Sequence, residues 1–375
     1  MEASRVCGLL PQVPDTTQIP RNERMRMNQK NVLVLFGGTS PEHDISMASA
    51  AAVIGSLARH NVIPVYITRS GKWLLYDGKL DNIQSIDWER FGTPAVLSPD
   101  RTNKGLLRIV GEKVKIIPVD IVFPVLHGPD GEDGTVQGLC QLAGLPYVGC
   151  GVLSSALAMD KAFAKTIAKS LKIPQGEFLV FRREELQDMA SALRKIRYKL
   201  GYPCFVKPAV GGSSIGIAKA NDKQELIEAI NAALKYDNKV VIEKSISGRE
   251  VEVGILGQGA GAKASVVGEI IPDGEFYDYD AKYNKPDSKT LVPADLPEET
   301  AEKIQEYALR LFRGIDGRGM SRVDFFIDEA GKILLNEINT VPGYTKISMY
   351  SKLWGASGIP RQALVERLLE LALEL

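Results

Sequence analysis

The pattern of hydrophobic and polar positions predicts alternating strands and helices along the chain. A continuous apolar run at residues 32–36 is typical of a buried parallel strand, and a similar run covers residues 119–126. Apolar residues at helical spacing predict one helix over residues 154–171 and a closing amphipathic helix over residues 359–373. We therefore expect a fold of the α/β class with α+β character.

Polar and turn-rich stretches divide the chain into four parts. Residues 1–30 contain several prolines and a polar run without apolar periodicity, so we expect a flexible tail that lacks the apolar core of a signal peptide. Glycine-rich turns mark two further boundaries. We therefore expect an N-terminal domain over residues 31–150, a central domain over residues 151–247 and a C-terminal domain over residues 248–375.

The clearest chemical signal is a predicted β-hairpin near the C-terminus, where two strand-forming runs flank a turn at residues 328–331. Folding about this turn sets Asp324 opposite Glu337, and period-2 alternation puts Asn339 on the face of Glu337. Arg322 is assigned at first sight to the other face, although it sits near the strand end, where backbone geometry can redirect it. Carboxylate and amide oxygens suit Mg²⁺. The alternative is a hairpin with solvated acids at its mouth.

Two glycine-rich turns suggest ligand contacts with the backbone. The turn at residues 37–40 leads from a strand into a helix, and Glu42 is either a helix-start acid or a ligand for a cationic group. The loop at residues 210–216 is either an ordinary hairpin loop or a cover for a polyphosphate, with Lys207 as a nearby charge. His127 ends a strand, where open α/β sheets bind ligands, although a lone histidine is more often structural.

Two further segments suggest a covered nucleotide site. Glu243 ends a predicted strand beside a linker, where backbone groups can pair with the polar edge of an adenine ring. Residues 274–283 lack apolar periodicity but contain three tyrosines and a lysine, which is typical of a lid over a site. The alternative for this segment is a plain surface loop.

Composition limits the class of protein. The 375 residues are 45% hydrophobic and 25% charged, as in ordinary globular proteins. Lysine plus arginine equals aspartate plus glutamate, so bulk charge predicts neither nucleic acid nor an anionic membrane as a partner. No apolar run reaches membrane-spanning length. The four cysteines show no Cys-x-x-Cys spacing, which predicts reduced, mostly buried thiols in a cytoplasmic protein.

Several motifs rich in glycine, lysine and acidic residues follow one another along residues 31–375. They are Phe36-Gly37-Gly38-Thr39-Ser40-x-Glu42, Leu126-His127-Gly128 with Gly131-Glu132-Asp133-Gly134, Met159-Asp160-Lys161, Val206-Lys207-Pro208 with Gly212-Ser213-Ser214, Phe276-Tyr277-Asp278-Tyr279-x-Ala281-Lys282-Tyr283, and Asn336-Glu337-Ile338-Asn339-Thr340-x-Pro342-Gly343. This series resembles the D-alanine–D-alanine ligase family of the ATP-grasp superfamily.

The resemblance implies a three-domain ATP-grasp fold whose N-terminal pre-ATP-grasp domain is Rossmann-like. It also implies that ATP and two Mg²⁺ (or Mn²⁺) ions bind between the central and C-terminal domains. The residues implied for the nucleotide are Lys161, Lys207, Gly212, Ser213, Ser214, Glu243, Lys244, Ile246, Glu250, Lys282, Asn336 and Glu337. Those implied for the metal ions are Asp324, Glu337 and Asn339.

The resemblance further implies that two D-alanine molecules are joined for peptidoglycan precursor synthesis. One carboxylate attacks the γ-phosphate of ATP, and the second amine then attacks the acyl phosphate. The residues implied for substrate binding are Glu42, His127, Tyr277, Arg322, Gly343, Ser348 and Met349. Those implied for catalysis are Glu42, Ser213, Tyr283, Arg322, Gly343 and Ser348. A homodimer is implied by the family's common assembly.

The identity of the second substrate is less certain from the motifs, and alternatives to D-alanine exist. Relatives in vancomycin resistance join D-alanine to D-lactate or D-serine instead. This chain keeps the lid residue Tyr283, from which the D-lactate ligases depart, and Met349 is apolar and suits a methyl group. We therefore expect D-alanine in both subsites. The chain departs from many relatives at Lys346-Ile347, which puts the shape of the second subsite in doubt.

Two competing hypotheses differ in their sequence requirements. Another carboxylate–amine ligase of the superfamily would keep a metal cluster and a phosphate loop without the trio Glu42, Ser213 and Tyr283. A catalytically silent nucleotide-binding protein would have lost a metal ligand or a phosphate lysine. The chain keeps all of these residues, which favours an active ligase.

Overall fold

The computed structural model describes residues 29–80, 83–212, 215–271, 289–345 and 347–374. Within these ranges the chain forms three β-sheets and the helices that cover them. The mixed α/β class predicted from the sequence is confirmed. Among the described residues, no helix has the length and apolar character needed to cross a membrane.

The first sheet has seven strands in the order β6-β5-β4-β3-β2-β1-β7. Strand β1, next to the edge strand β7, pairs in parallel with β2 and β7, and the remaining pairs are antiparallel. The side chains of residues 32–36 are fully buried and alternate between two apolar clusters, because both faces of β1 are covered. The strands are β1 Asn31–Gly37, β2 Asn61–Ile67, β3 Trp73–Leu75, β4 Thr93–Leu97, β5 Gly105–Val110, β6 Lys113–Pro118 and β7 Ile121–Pro124.

Three helices belong to this N-terminal part, namely α1 His43–Ser56, α2 Trp88–Phe91 and α3 Thr135–Ala143. Helix α3 ends at Gly144, whose left-handed backbone (φ 65°) closes the last turn. Helix α1 follows the glycine turn after β1 and therefore begins at the carboxyl edge of the parallel strands.

The second sheet has four antiparallel strands in the order β10-β9-β11-β8. One face packs on two helices through a cluster of aliphatic side chains. Strand β8 and helix α6 were not predicted from the sequence. The elements are β8 Phe178–Arg182, α6 Met189–Lys199, β9 Cys204–Pro208, β10 Ala218–Ala220, α7 Lys223–Ala233 and β11 Lys239–Lys244.

The third sheet has five antiparallel strands in the order β14-β13-β12-β15-β16. Its core contains buried aliphatic residues of β12 and β15 together with helix α8. The elements are β12 Gly248–Gln258, β13 Lys263–Ile271, β14 Lys289–Leu291, α8 Glu298–Gly314, β15 Arg318–Asp328 and β16 Ile333–Asn339. Two helices close the chain, α9 Met349–Ala356 and α10 Arg361–Leu373.

The single helix predicted over residues 154–171 is wrong, because two helices occupy this stretch. Helix α4 covers Val152–Met159 and helix α5 covers Lys161–Ser170. Asp160 separates them with an extended backbone, and its side chain accepts hydrogen bonds from the backbone N–H groups of Ala162 and Phe163. An aspartate that caps a new helix ends the previous one.

The C-terminal helices pack on the first sheet, so that the last helix and the first strand of the described chain belong to one core. Leu364, Val365 and Leu368 of α10 share one apolar cluster with Val34 and Phe36 of β1. Three cysteines, Cys140, Cys150 and Cys204, are buried free thiols, as predicted. Burial raises the pKa of the Cys140 thiol to about 12. The domain boundaries near residues 150 and 247 stay predictions.

Candidate active site

A cavity lies where the three parts of the chain meet. Glu42 and His127 of the first part, residues of helix α5 and residues of the β15–β16 hairpin all reach it, so each part contributes a wall. Among its lining residues are Glu42, His127, Glu132, Lys161, Lys165, Gly212, Glu252, Arg322, Asn336, Glu337, Asn339, Gly343, Ser348 and Met349.

The hairpin register agrees with the prediction. Asp324 pairs with Glu337, and Asn339 lies opposite Arg322. A β-bulge follows Asp324, which bends the strand at the acidic residues. Asp324 is only 2% exposed.

The assignment of Arg322 to the other face is wrong, because residues two apart on a strand share a face. Its guanidinium donates two hydrogen bonds to Asp324, Nε to Oδ1 at 2.8 Å and NH2 to Oδ2 at 2.7 Å. Nε also lies 3.0 Å from Glu252 Oε2. Burial alone would lower the pKa of Arg322, but Asp324 and Glu252 outweigh it and raise that pKa. We call Glu252, Arg322, Asp324 and Glu337 the acid cluster.

Metal ligation fits the chemistry of this donor set. Asp324, Glu337 and Asn339 offer the oxygen ligands that Mg²⁺ prefers. Asn339 Oδ1 accepts a hydrogen bond from the Val341 N–H at 2.9 Å, and both oxygens of Asp324 accept from Arg322. In the part of the chain that the structure describes, no three His, Cys, Asp or Glu side chains already converge as a metal site.

A second cluster consists of three lysines and one carboxylate, whereas the acid cluster consists of three carboxylates and one guanidinium. Lys207 of β9 lies with its Nζ 3.1 Å from Glu243 Oε2 of β11, and Lys165 Nζ of α5 lies 3.3 Å from Glu243 Oε1. Burial alone would raise the pKa of Glu243, but the two lysines outweigh it and lower that pKa. Lys161, one helical turn before Lys165, donates from Nζ to the carbonyl of Gly211 at 2.5 Å. We call Lys161, Lys165, Lys207 and Glu243 the lysine cluster.

The lysine cluster also contains an unsatisfied acceptor. Glu243 Oε1 is buried and accepts no aligned hydrogen bond from the described residues, although the Lys165 ammonium is within ion-pair distance. Lys207 Nζ reaches Asn336 Oδ1 at 3.5 Å, which links this cluster to the hairpin. Burial lowers the pKa of both Lys161 and Lys165. The sequence offered one signal for Lys165, its four-residue spacing from Lys161 on a helix.

Glu42 lies at the start of helix α1 and lines the cavity. It precedes helix α1, is 6% exposed, and makes no side-chain cap hydrogen bond. A Cβ atom built on Gly128 would lie 2.7 Å from Glu42 Oε2, and one built on Gly212 would lie 2.5 Å from the same oxygen. Two glycines therefore leave room for this carboxylate at the junction of the first two parts.

His127 belongs to a buried chain of polar contacts. Its Nδ1 lies 3.2 Å from Glu132 Oε1, and its Nε2 lies 3.2 Å from the Ser49 hydroxyl. The backbone N–H of Tyr344 donates to the same hydroxyl at 3.3 Å. Burial alone would lower the pKa of His127, but Glu132 and Glu42 outweigh it and raise that pKa. This chain of contacts joins the first sheet to the turn after β16.

The turn after β16 places the remaining candidates. A Cβ on Gly343 would lie 2.9 Å from the Ser348 hydroxyl, which shares a hydrogen bond with Thr345 Oγ1 at 2.7 Å. Met349 is buried, begins α9 and packs with Ile270. The structure therefore brings these candidates to one wall of the cavity.

Other candidates lie elsewhere. Lys244 ends β11, Ile246 lies in the connection to β12, and Glu250 lies in β12. None of the three is among the described residues that line the cavity, and the same holds for Lys207, Glu243 and Asp324. Five candidates lie outside the described residues, namely Ser213, Ser214, Tyr277, Lys282 and Tyr283. The predicted lid lies outside them as well.

Comparisons with known proteins agree with this architecture. The chain matches the family models "D-ala D-ala ligase N-terminus" over residues 31–150 and "D-ala D-ala ligase C-terminus" over residues 167–370. It is 49% identical to a D-alanine–D-alanine ligase of Acetivibrio thermocellus over 364 residues, covering 92% of this chain and 96% of the relative. It is 48% identical to one of Caldicellulosiruptor bescii over 352 residues, covering 93% and 96%.

A solved structure is similar over the same extent. The VanG D-Ala:D-Ser ligase from Enterococcus faecalis matches with a TM-score of 0.83 and 39% identity, covering 92% of this chain and 100% of that chain. The chain therefore belongs to the D-alanine–D-alanine ligase family, whose members are ATP-dependent ligases with the ATP-grasp fold.

Proposed function

We propose that this protein joins two D-alanine molecules into D-alanyl-D-alanine, with ATP as the energy source, for peptidoglycan precursor synthesis. The observation that supports this proposal most directly is one cavity that is lined by Glu42 and by members of both clusters. These members are Lys161 and Lys165 of the lysine cluster and Glu252, Arg322 and Glu337 of the acid cluster. A ligase of this kind needs a polyphosphate, an ammonium group and a developing oxyanion held side by side.

The lysine cluster supplies the nucleotide contacts. Lys161 and Lys207 neutralise phosphate charge, and the backbone of residues 211–214 covers the phosphates. Glu243 Oε1 has an unused acceptor position that suits the exocyclic amine of adenine. Lys244, Ile246 and Glu250 complete the base and ribose contacts, and Asn336 lies beside Lys207.

The hairpin supplies the ligands for two divalent ions. Asp324, Glu337 and Asn339 would hold Mg²⁺, or Mn²⁺, through oxygen atoms. Bound ions neutralise the charge that develops on the phosphate oxygens during transfer. Arg322 holds the Asp324 carboxylate by two hydrogen bonds, so its orientation is fixed before any ion binds.

The substrates occupy the junction of the three parts. Glu42 holds the ammonium group of the first D-alanine, and His127 lies beside it with Glu132 as its partner. The first carboxylate attacks the γ-phosphorus of ATP, the bond to the β-phosphate breaks, and ADP leaves an acyl phosphate behind. The second amine, in its deprotonated form, attacks the acyl carbon and loses a further proton as the amide forms and inorganic phosphate leaves. Arg322 and the Gly343 N–H stabilise the oxyanion of that step.

The lid and the second subsite complete the proposal. Ser213 and Tyr283 latch the lid to Glu42, Lys282 reaches the γ-phosphate, and Tyr277 contacts substrate. Exclusion of water protects the acyl phosphate from hydrolysis. Ser348 holds the second substrate, and Met349 packs against its methyl group. We also propose a homodimer and a cytoplasmic location, with no nucleic acid or membrane partner.

A second candidate is ligation of D-alanine to D-serine. It is favoured by the match to a solved D-Ala:D-Ser ligase at a TM-score of 0.83. D-Lactate as acceptor is the third possibility. The buried, apolar Met349 on the cavity wall favours a methyl group over a hydroxymethyl group.

The test is phosphate release from ATP and Mg²⁺ with D-alanine alone, compared with D-alanine plus D-serine or D-lactate, with products identified by mass. We expect release with D-alanine alone and D-alanyl-D-alanine as product. Release that requires a different acceptor would overturn the choice of second substrate. No release with any pair would overturn the proposed ligase activity.

A further inference from the structure

Lys165 is a buried lysine that the proposed reaction does not use. Its side chain is 4% exposed, and its ammonium lies 3.3 Å from Glu243 Oε1. The ammonium also lies 5.6 Å from the centre of the Phe178 ring. Removing an ammonium group from water is costly unless a partner compensates. The position of Lys165 therefore requires an explanation beyond packing.

Glu243 is shared between two lysines. One carboxylate oxygen faces Lys165 and the other faces Lys207 at 3.1 Å. Among the described residues, these are the two cations within ion-pair distance of Glu243. Lys207 also reaches Asn336 at 3.5 Å, on the side of the hairpin, so its ammonium lies between Glu243 and the wall of the cavity.

A nucleotide would compete with Glu243 for Lys207. A phosphate oxygen attracts the Lys207 ammonium more strongly than a carboxylate that is already paired, because the phosphates have a greater negative charge. If Lys207 turned to the phosphate without a replacement, Glu243 would become a buried, uncompensated anion. Lys165 is anchored on α5 and remains beside Glu243 in that exchange.

We propose that Lys165 is a positioning residue that stays paired with Glu243 and thereby allows Lys207 to exchange that carboxylate for a nucleotide phosphate. This inference rests on the proposed function, since it requires Lys207 to bind phosphate. Lys165 also keeps Glu243 ionised and aligned, with Oε1 available to a donor of the bound base. Its effect on catalysis acts through Glu243 and Lys207 rather than through contact with the nucleotide.

The test measures ATP affinity by isothermal titration for a set of matched variants. Lys165→Met keeps the length of the side chain and removes its charge, and we expect about a tenfold loss of ATP affinity. Glu243→Gln alone measures the loss of the proposed base contact, and the double variant Lys165→Met/Glu243→Gln removes both charges. We expect the affinity of the double variant to lie within about threefold of that of Glu243→Gln. Lys169→Met, one turn further along α5 on an exposed position, is the control and should leave ATP affinity unchanged.

Each outcome decides the proposal. Unchanged affinity in Lys165→Met would overturn it. About a tenfold further loss when Lys165→Met is added to Glu243→Gln would also overturn it, because that result would mean that Lys165 contacts the nucleotide itself. If Lys165→Met alone fails to fold in a thermal melt, the comparison of the double variant with Glu243→Gln alone decides. Wild-type ATP affinity in Lys207→Met would instead contradict the proposed phosphate role of Lys207, which separates the two failures.

Discussion

The acid cluster and the lysine cluster have net charges of opposite sign but the same arrangement of charges. In the acid cluster, three carboxylates surround the single guanidinium of Arg322, which contacts Asp324 and Glu252 directly and is also attracted by Glu337. In the lysine cluster, Lys165 and Lys207 contact the single carboxylate of Glu243 directly, and Lys161 is also attracted by it. Each cluster therefore contains one ion of the opposite sign at its centre.

The difference between the clusters indicates what each one binds. One central counter-ion reduces repulsion but leaves a surplus of charge, negative on the hairpin and positive around Glu243. A divalent cation reduces the first surplus and a polyphosphate reduces the second. A metal–nucleotide complex, which contains both, matches the pair of clusters better than either ligand alone.

The largest effect should follow from removing charge on the acidic side. We predict that Glu337→Ala lowers ligation kcat by about a thousandfold or more, because metal ions can no longer neutralise the transferring phosphoryl group. The fold should remain intact in a thermal melt. Glu329→Ala, at the exposed turn of the same hairpin, is the matched control and should keep full activity. Retained turnover in Glu337→Ala would refute the metal assignment.

Removing charge on the basic side should have the next largest effect. We predict that Lys207→Met raises the KM for ATP by about 10- to 100-fold, because a charge-assisted hydrogen bond to phosphate is lost. Steady-state kinetics at saturating D-alanine measures this change. Lys219→Met, on the exposed side of β10, should leave the KM for ATP unchanged. An equal rise in the KM for ATP in both variants would mean that the change follows from general surface charge rather than from a contact between Lys207 and phosphate.

A smaller effect tests Glu42, which belongs to neither cluster. Gly212→Ala places a methyl group 2.5 Å from the present position of Glu42 Oε2, so the carboxylate must move. We predict about a tenfold higher KM for D-alanine with little change in the KM for ATP, because an ammonium contact loses its geometry. Gly138→Ala in helix α3 has no neighbour within 4 Å and should not change either KM. A rise confined to ATP would contradict the role given to Glu42.

The smallest effect concerns His127, whose charge depends on pH. Its pKa is raised because Glu132 and Glu42 outweigh the effect of burial. The protonated ring therefore stabilises the fold below the ordinary histidine pKa, and this contribution is lost as pH rises through the raised value. The Tm of the wild type should therefore fall between about pH 6 and pH 9 as this contribution is lost. In His127→Asn the fall over the same range should be smaller by about 2–4 °C. Parallel Tm profiles for variant and wild type would show that His127 contributes no such pH dependence.

Local pattern was sufficient to predict much of the fold and the acidic pair of the hairpin, but not the position of Glu252 beside Arg322. The hairpin pairing of Asp324 with Glu337 follows from strand period and turn position, which neighbouring residues determine. The misassigned face of Arg322 was an error in applying the same period. The break at Asp160 escaped prediction because apolar spacing continues on both sides of a capping residue.

The lysine cluster could not be predicted in full, because its members come from three separate elements. Lys165 on α5 meets Glu243 on β11 only after the second sheet has formed against that helix. A sequence shows that a lysine shares a helical face with Lys161, but it does not show which carboxylate lies opposite. Pairs of this kind depend on tertiary packing, so they became visible only in the structure.

The claim that the acid cluster binds the metal and the lysine cluster binds the phosphates is tested most directly by titrating ATP. The titration uses the wild type, Lys207→Met and Glu337→Ala, each with Mg²⁺ and with a chelator. We predict that Lys207→Met weakens ATP binding under both conditions, whereas Glu337→Ala weakens only the additional binding that Mg²⁺ provides to the wild type. Equal responses of the two variants, with and without Mg²⁺, would contradict the division of the site into a cluster for the metal and a cluster for the phosphates.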